Sequence, residues 1–413
     1  METSRRNIEI IDLIIAVNKN DDNTNYLGVN EYPGIGYIKS YLNAKNFTVN
    51  IHIVNNGDLK NLSNIFKHYP KIIGIGMYSD NSNLVLSIAE GIKFHFPRVH
   101  ITIGGPQVNQ YEEMIINEND CIDSVISYEG EETLYELILR IGQNKDMEGC
   151  LGVTYRNQYG KAVKNGYRRP VEVLDCFAFP SRDIHEKNSQ QYLYITGSRG
   201  CVGGCSFCGE TSAKKDLGKP FVRCRNAKLI VDEIEYLIKK YDVKAFRFTD
   251  ATFEDPIESE TDRAEQIFDE IIKRELHISL HLFTRAEIVN IKTVDYYKKA
   301  LEAGVECFYL GIESGNESDL KLYRKRTTVR KNIRAIKKIR QAGIHVGMGF
   351  INFNPYSTFD SILKNAKFMR ENGLGHVFYL MQTRLELLPQ SFLRNKLIEE
   401  SLIVGDFNFK SSY

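Results

Sequence analysis

The chain has 413 residues, 42% of them apolar and 26% charged, with a net charge of +1. That length exceeds one ordinary core and predicts two or three domains. The near-neutral balance excludes a general basic field for nucleic acid and an acidic solvating tail.

The opening "METSRRNIEI" reads as carrying no signal peptide. "IEIIDLIIAV", interrupted by Asp12, reads as a buried strand and not a membrane span. Residues 1–146 alternate strands and helices. A strand over 8–17 is followed by the loop "KNDDNTN", read as solvated, and by a helix over about 36–44 after the turn "EYPGIG". "VNIHIV", "KIIGIGMY" and "HITIGGP" are further strands, the last closing on Gly104 and Gly105. Leu84, Val85, Ile88 and Ile92 recur at helical spacing until Pro97. "IDSVISYEGEETLYELILRIG" gives a fifth strand and a helix. Such alternation predicts a parallel sheet covered on both faces, with ligands at the carboxyl ends of its strands.

Residues 150–185 read as a hairpin and a connector containing "LDCFAFPSRDI". A second series starts near Tyr192. Its strands are "LYITG", "AFRFTDATF", "SLHLFTRAE", "CFYLGIESG", "HVGMGFINF" and "HVFYLMQTRLEL", with helices between them. One helix, "NAKLIVDEIEYLIKKY", sets Leu229, Ile230, Ile234, Leu237 and Ile238 on one face, with Asn226 as its cap. Six β/α units predict a barrel or partial barrel, whose strand C-termini face the active site.

The loop after the first strand of that series, "RGCVGGCSFCGE", holds Cys201, Cys205 and Cys208. A disulfide is disfavoured by strain and by the absence of a secretion signal. A zinc site needs a fourth ligand; no His lies between Arg199 and Cys224, though Cys224 is within reach. Three thiolates also suit a [4Fe–4S] cluster with one iron left open. Gly200, Gly203 and Gly204 let backbone amides approach the sulfurs. Zinc and iron–sulfur readings both stand on the loop alone.

The C-x3-C-x2-C spacing, with Phe207 before the third cysteine and six β/α units behind it, resembles the radical S-adenosylmethionine (radical SAM) superfamily. "FVRCRNAKLIVDEIEYL", "FRFTDATF", "FYLGIESGNESDLKLYRKRTT" and "TRLELLPQSFLRNKLIEESLI" narrow the likeness to its cobalamin (B12)-binding-domain subgroup. So do "GIGMY", "ITIGGPQVN" and "SVISYEGEETLYEL" in the first half. The resemblance implies an N-terminal Rossmann-like doubly wound domain of the cobalamin-binding type, over 1–148. A hairpin and connector would span 149–185, a partial (β/α)6 TIM-type barrel 186–388, and a C-terminal helix and tail 389–413. It implies a [4Fe–4S] cluster on Cys201, Cys205 and Cys208, S-adenosylmethionine (SAM) on the open iron, and cobalamin. The activity implied is radical SAM chemistry through a 5′-deoxyadenosyl radical. Cobalamin-dependent methylation of an unactivated carbon leads; an oxidation, rearrangement, epimerisation or bond formation is the alternative.

The candidate SAM contacts are Phe207 and the strand-end residues Asp250, Thr252, Thr284, Arg285, Glu313 and Ser314. Arg285 is suited to a carboxylate. The candidate cobalamin contacts are Tyr78, Ser79, Gly104, Gly105, Glu129 and Gly130. The subgroup's Asp-x-His-x-x-Gly motif is absent: the corresponding region reads "VNIHIVNNGDLKNL", so the expectation is either a cobalamin without a lower histidine ligand or a domain that is vestigial or used differently. "NFNPYST" and Gln390 in "LLPQSFLR" also depart from the subgroup's pattern, as does an end at Tyr413, which leaves little extra substrate-binding surface. Arg223 and Arg225 are expected to be solvent-paired. Cys121, Cys150, Cys176, Cys224 and Cys307 are expected to be buried small residues. A small-molecule or peptide substrate, a flavodoxin- or ferredoxin-type electron donor, no nucleic acid, no membrane and a cytoplasmic location complete the expectation.

Overall fold

A computed structural model describes residues 8–18, 32–66, 68–188, 192–219, 221–254, 262–388 and 391–403. The "KNDDNTN" loop and Gln390 lie outside them. Strand β1 (Ile10–Val17) is apolar on both faces and buried over 11–16, as a central parallel strand must be. It pairs with β2 (Thr48–Asn55) on one side and β3 (Ile72–Gly76) on the other, and β4 (His100–Gly104) and β5 (Ser124–Ile126) follow, all parallel. The hairpin β6 (Val153–Arg156) and β7 (Ala162–Lys164) adds two antiparallel strands, giving the order β2-β1-β3-β4-β5-β6-β7. The hairpin set apart in the sequence thus extends the first sheet.

Helices α1 (Pro33–Asn43) and α4 (Glu131–Gly142) cover one face of this sheet; α2 (Ser82–His95) and α3 (Glu112–Glu118) cover the other. Chain order reverses between β1 and β3. That switch point opens a crevice at the strand ends.

After the connector and α5 (Asp183–Asn188), a second sheet runs β14-β13-β12-β11-β8, all parallel. Its strands are β8 (Leu193–Ile195), β11 (Ala245–Phe248), β12 (Ser279–Thr284), β13 (Val305–Glu313) and β14 (His345–Phe350). A two-stranded ribbon, β9 (Ser198–Arg199) with β10 (Arg223–Cys224), and helix α6 (Gly209–Leu217) frame the cysteine loop. The outer helices are α7 (Ala227–Tyr241), α8 (Arg263–Lys273), α9 (Ala286–Ile291), α10 (Val294–Glu302), α11 (Glu317–Leu322), α12 (Val329–Gln341) and α13 (Phe359–Glu371). A last helix, α14 (Phe392–Glu399), follows. Helix α7 forms as its sequence predicts: the Asn226 side chain accepts from the Lys228 N–H, and Ile230, Ile234 and Leu237 are buried. Each such side chain contributes about 1.5–3 kcal/mol.

The expected sixth strand is a correction. "HVFYLMQ" forms short 3₁₀ turns over Gly375–Gln382, and only a lone bridge between Phe353 and Arg384 continues the sheet. Its aromatic and β-branched residues read as a strand, but Val377 and Leu380 pack onto the core from turns while Tyr379 faces solvent. β-propensity records a half-buried surface more than a backbone preference. The barrel is therefore open on one side.

Candidate functional site

The cysteine loop is tied down at its base by Asp250, just past β11. This buried carboxylate accepts the Gly197 N–H at 2.7 Å and the Ser198 hydroxyl at 2.7 Å, with Arg263 at 3.6 Å. Burial pushes its pKa up, opposed by Arg263. Within the loop the Gly203 N–H donates to the Cys201 sulfur at 3.2 Å, and the Thr252 hydroxyl stands 3.9 Å from that sulfur. The Arg285 Nη1 approaches the Cys205 sulfur at 3.6 Å, while its Nε donates to Glu287 at 2.8 Å. A side chain on residue 203 would put Cβ 2.5 Å from the same Nη1, so glycine is needed for the guanidinium to reach the loop. Phe207 meets Tyr323 edge-on at 5.5 Å, and the Ser206 N–H donates to the Tyr323 carbonyl, pinning the loop to α11.

Burial pushes the Cys208 thiol up to about 12, with Glu210, Cys205 and Cys201 adding to the rise. A thiolate there calls for a cation, and metal binding supplies one. Among the described residues, no three His, Cys, Asp or Glu side chains converge closely enough for one shared ion. The donors around the sulfurs (one N–H, one hydroxyl and one guanidinium) suit bound thiolates.

The strand-end candidates divide. Thr252 and Arg285 reach the sulfurs. Thr284 instead holds the buried Glu254, with its hydroxyl 2.8 and 2.9 Å from the two carboxylate oxygens. Ser314, fully buried, lies 2.9 Å from both Asp319 and Asn365 and accepts from the Asn316 N–H. Glu313 has a φ of +65° and faces Lys325 at 3.3 Å. Asp250, Thr284 and Ser314 spend their polar atoms inside the chain.

In the first domain, Gly74, Gly76 and Gly104 stand on one face of neighbouring strands, beside Leu13 and Thr102. The missing side chains leave a slot of about 370 Å³ between the sheet and helices α1 and α4. Its lining is largely apolar, and the Thr102 hydroxyl in its wall is a buried polar atom with no partner. An orphaned hydroxyl beside a glycine-floored slot fits a ligand that brings its own polar group. Gly105, at φ +111°, turns the chain beyond the slot; a Cβ there would lie 2.5 Å from the Met77 carbonyl. Tyr78, Glu129 and Gly130 also line the slot.

A second cavity of about 520 Å³ shares Tyr78, Tyr128, Glu129, Thr196, Arg199 and Thr249 with the slot. It carries Ser79 and runs on to Cys208. The two predicted cofactor regions therefore adjoin, with these six residues as a common wall. The slot's described lining includes no histidine. His52 turns the other way, its Nε2 2.8 Å from the buried Asp12, so it is not aimed at the slot.

Arginines of the barrel hold the two halves together. Arg223 donates to both Glu129 oxygens, at 2.5 and 3.0 Å; Arg199 donates to Glu131 at 2.6 Å and lies over the Tyr37 ring; Arg225 donates to Glu233 at 2.6 Å and to the Tyr37 hydroxyl at 3.3 Å. Arg223 and Arg225 are buried, which corrects the expectation that they face solvent. They flank the ribbon that carries the cysteines and meet acids of the first domain or of α7. Cys176 is exposed, against expectation; Cys150 is buried, and Cys121, Cys224 and Cys307 are half-buried. Sequence reading missed Tyr37, Thr102, Tyr128, Thr196, Arg199 and Thr249. Only Arg199, next to the loop, and Tyr128, two residues before the α4 cap, carried a signal.

The fold and the site define a protein in which a nucleotide-type crevice opens onto a cysteine loop at the mouth of a partial barrel. The family model of the radical SAM superfamily matches residues 195–369, and that of the B12 binding domain matches residues 23–138. The chain is 28% identical over 325 residues to an uncharacterized methyltransferase of Pyrococcus horikoshii, covering 77% of this chain and 68% of the relative. It is 27% identical over 358 residues to the anaerobic magnesium-protoporphyrin IX monomethyl ester cyclase of Rubrivivax gelatinosus, covering 82% of this chain and 61% of that enzyme. The structure of OxsB, a cobalamin-dependent S-adenosylmethionine radical enzyme, superposes with a TM-score of 0.78 at 20% identity, over 96% of this chain and 62% of that one. The chain thus spans about three fifths of the cyclase and of OxsB. The chain thus carries a radical SAM domain and a B12-binding domain together. Those two domains imply a [4Fe–4S] cluster, SAM and cobalamin, and the thiol loop and the glycine-floored slot fit them. No helix among the described residues is long and apolar enough to cross a membrane.

Proposed function

We propose that the protein methylates an unactivated carbon of a small-molecule or peptide substrate, using SAM and cobalamin. The observation that carries this reading is that the slot floored by Gly74, Gly76 and Gly104 adjoins the cavity that reaches Cys208, the two sharing one wall. Methyl transfer between a corrin and a substrate radical needs both cofactors to face one chamber. Once bound, the cofactors supply the hydrogen-abstracting radical and the transferable methyl group. Cys201, Cys205 and Cys208 would hold the cluster, with Arg285 and the Gly203 N–H stabilising thiolate charge. Thr252 and Glu313 would contact SAM, and Phe207 packs against Tyr323 behind the loop. Tyr78, Ser79, Gly104, Gly105, Glu129 and Gly130 would border the corrin.

The test is anaerobic reconstitution with iron, sulfide and hydroxocobalamin, desalting, and incubation with SAM and dithionite. Retained corrin absorption, with 5′-deoxyadenosine and S-adenosylhomocysteine both formed, is expected. Loss of corrin on desalting overturns the methylation reading. One second reading has support: a relative named as a cyclase matches 82% of this chain. 5′-Deoxyadenosine without S-adenosylhomocysteine would favour such a non-methylating reaction.

A further inference from the structure

From Leu320 to Phe359 the chain holds ten Lys and Arg and no Asp or Glu, in a protein whose net charge is only +1. Most of these cations lie on or just before α12. Arg324, Arg326, Arg330, Lys331, Arg334 and Lys337 are exposed, and none forms an ion pair with an acid among the described residues. A helix face so charged repels itself, and no ion pair among the described residues offsets it. The opposite face is committed to packing: Ala335, Ile336 and Ile339 are buried, and Lys338 ties the helix to α9 by donating to the carbonyls of Val289 and Asn290.

The basic face leads to the cysteine loop. Arg285, which caps α9, is the residue that approaches the Cys205 sulfur. On the outer side of the loop is a cavity of about 670 Å³, lined by Gly203, Lys214, Lys219, Phe221, Arg285 and Arg326. Its one acid is Glu287, already held by Arg285. The Arg326 guanidinium stands within 4.0 Å of the Cβ position of Gly204. This cavity has only Phe221 in common with the one that reaches Cys208, so a visitor here stands beside Gly203 and Arg285, behind the loop, without entering the substrate space.

We propose that this face, from Lys214 and Lys219 through Arg326 to Arg330, Arg334 and Lys337, is the docking surface for an acidic, one-electron-donating protein of the flavodoxin or ferredoxin kind. The assignment rests on the reading that the loop holds a redox-active cluster. The donor gives up one electron and the cluster accepts it; no atom or proton needs to cross. Such a partner must arrive fast and leave, which long-range charge attraction provides with little apolar burial. The patch lacks what other anions would use. Tyr323, the segment's aromatic residue before α12, is fully buried, so no ring is offered to a nucleic-acid base. The apolar side chains of α12 face the barrel, leaving none to enter a bilayer.

The experiment compares the full chain, carrying its cluster, with R326E/R330E/R334E and the milder R330Q/R334Q. The probes are an acidic flavodoxin, a generic single-stranded RNA and phosphatidylserine vesicles. Flavodoxin should bind the wild type at low salt and weaken as salt rises. Its Kd should rise roughly tenfold or more in the triple variant and less in the double. SAM cleavage driven by dithionite should be unchanged in both variants, while cleavage driven by reduced flavodoxin falls in step with binding. Flavodoxin affinity that is equal in all three proteins, or insensitive to salt, overturns the proposal; so does preferential binding of RNA or vesicles. A wild type that binds flavodoxin but cleaves no SAM with dithionite sinks the reading of the loop instead, which separates the two failures.

Discussion

Gly104 and Gly105 are neighbours with different reasons to be glycine, and substituting each separates ligand binding from folding. At Gly104 a Cβ meets only ordinary contacts, 3.5 Å from the Ile126 carbonyl, and a longer side chain would extend into the slot. G104L should therefore fold normally and fill space that a corrin or its nucleotide tail would occupy. Over-filling a packed site costs about 1–3 kcal/mol, which at about 1.4 kcal/mol per decade weakens hydroxocobalamin binding roughly 5- to 150-fold. At Gly105 the backbone sits at φ +111°, and a Cβ would strike the Met77 carbonyl at 2.5 Å. G105A should cost stability, about 1–3 kcal/mol of backbone strain, whether or not cobalamin is present. Corrin absorbance retained after desalting and the urea midpoint of the cobalamin-free protein read the two effects. If G104L binds hydroxocobalamin as the wild type does while keeping its urea midpoint, the slot is not the corrin site and the reasoning fails.

Each of C201A, C205A and C208A should lose the brown colour and reduce bound iron to a trace after anaerobic reconstitution; a variant that keeps its iron removes that cysteine from the ligand set. Glu233 is fully buried between Arg182 and Arg225, at 2.6 Å from each. E233A leaves two guanidiniums without their carboxylate and should destabilise the chain by about 3–5 kcal/mol; a loss well under 1 kcal/mol in urea unfolding would refute it. Burial raises the Glu254 carboxyl from 4.5 to about 7, opposed by its bond to Thr284. The folded chain then holds this proton more tightly than the unfolded one, so Glu254 makes stability fall as pH rises from about 4.5 to about 7 and then level. E254Q should flatten that fall, a difference of up to about 3 kcal/mol at pH 8; parallel stability profiles for the two proteins would contradict it.

The two-domain layout was legible because apolar runs and helical spacings are local signals, and β1 and α7 formed where their patterns placed them. The cysteine loop was legible because its three cysteines lie within eight residues. What failed was non-local. Nothing near "HVFYLMQ" records that it forms turns, with a lone bridge from Phe353 to Arg384 beyond it in place of a ladder. Arg223 and Arg225 read as solvent-facing because their acids, Glu129 and Glu233, are 94 and 8 residues away in sequence, and only folding shows which charges meet. Strand-end polar residues looked alike as SAM contacts. The structure spends Asp250 and Ser314 on holding turns, and a turn-holding carboxylate cannot be told from a ligand-binding one by position alone.

The ribbon β9–β10 explains why both halves are needed for one site. Arg199 precedes Cys201 by two residues, and Arg223 lies across the ribbon from it. Both reach Glu129 or Glu131 at the start of α4, the helix that roofs the glycine slot. The element that positions the thiols therefore also fixes the helix over the slot. Holding Arg223 buried and Arg199 half-buried is a poor way to gain stability, since an apolar interface of the same shape often does better. Charged pairs of fixed geometry, bidentate in the case of Arg223 and Glu129, instead set one register between the domains. A slip of one side chain there would move the slot relative to Cys208, and the shared chamber depends on that alignment.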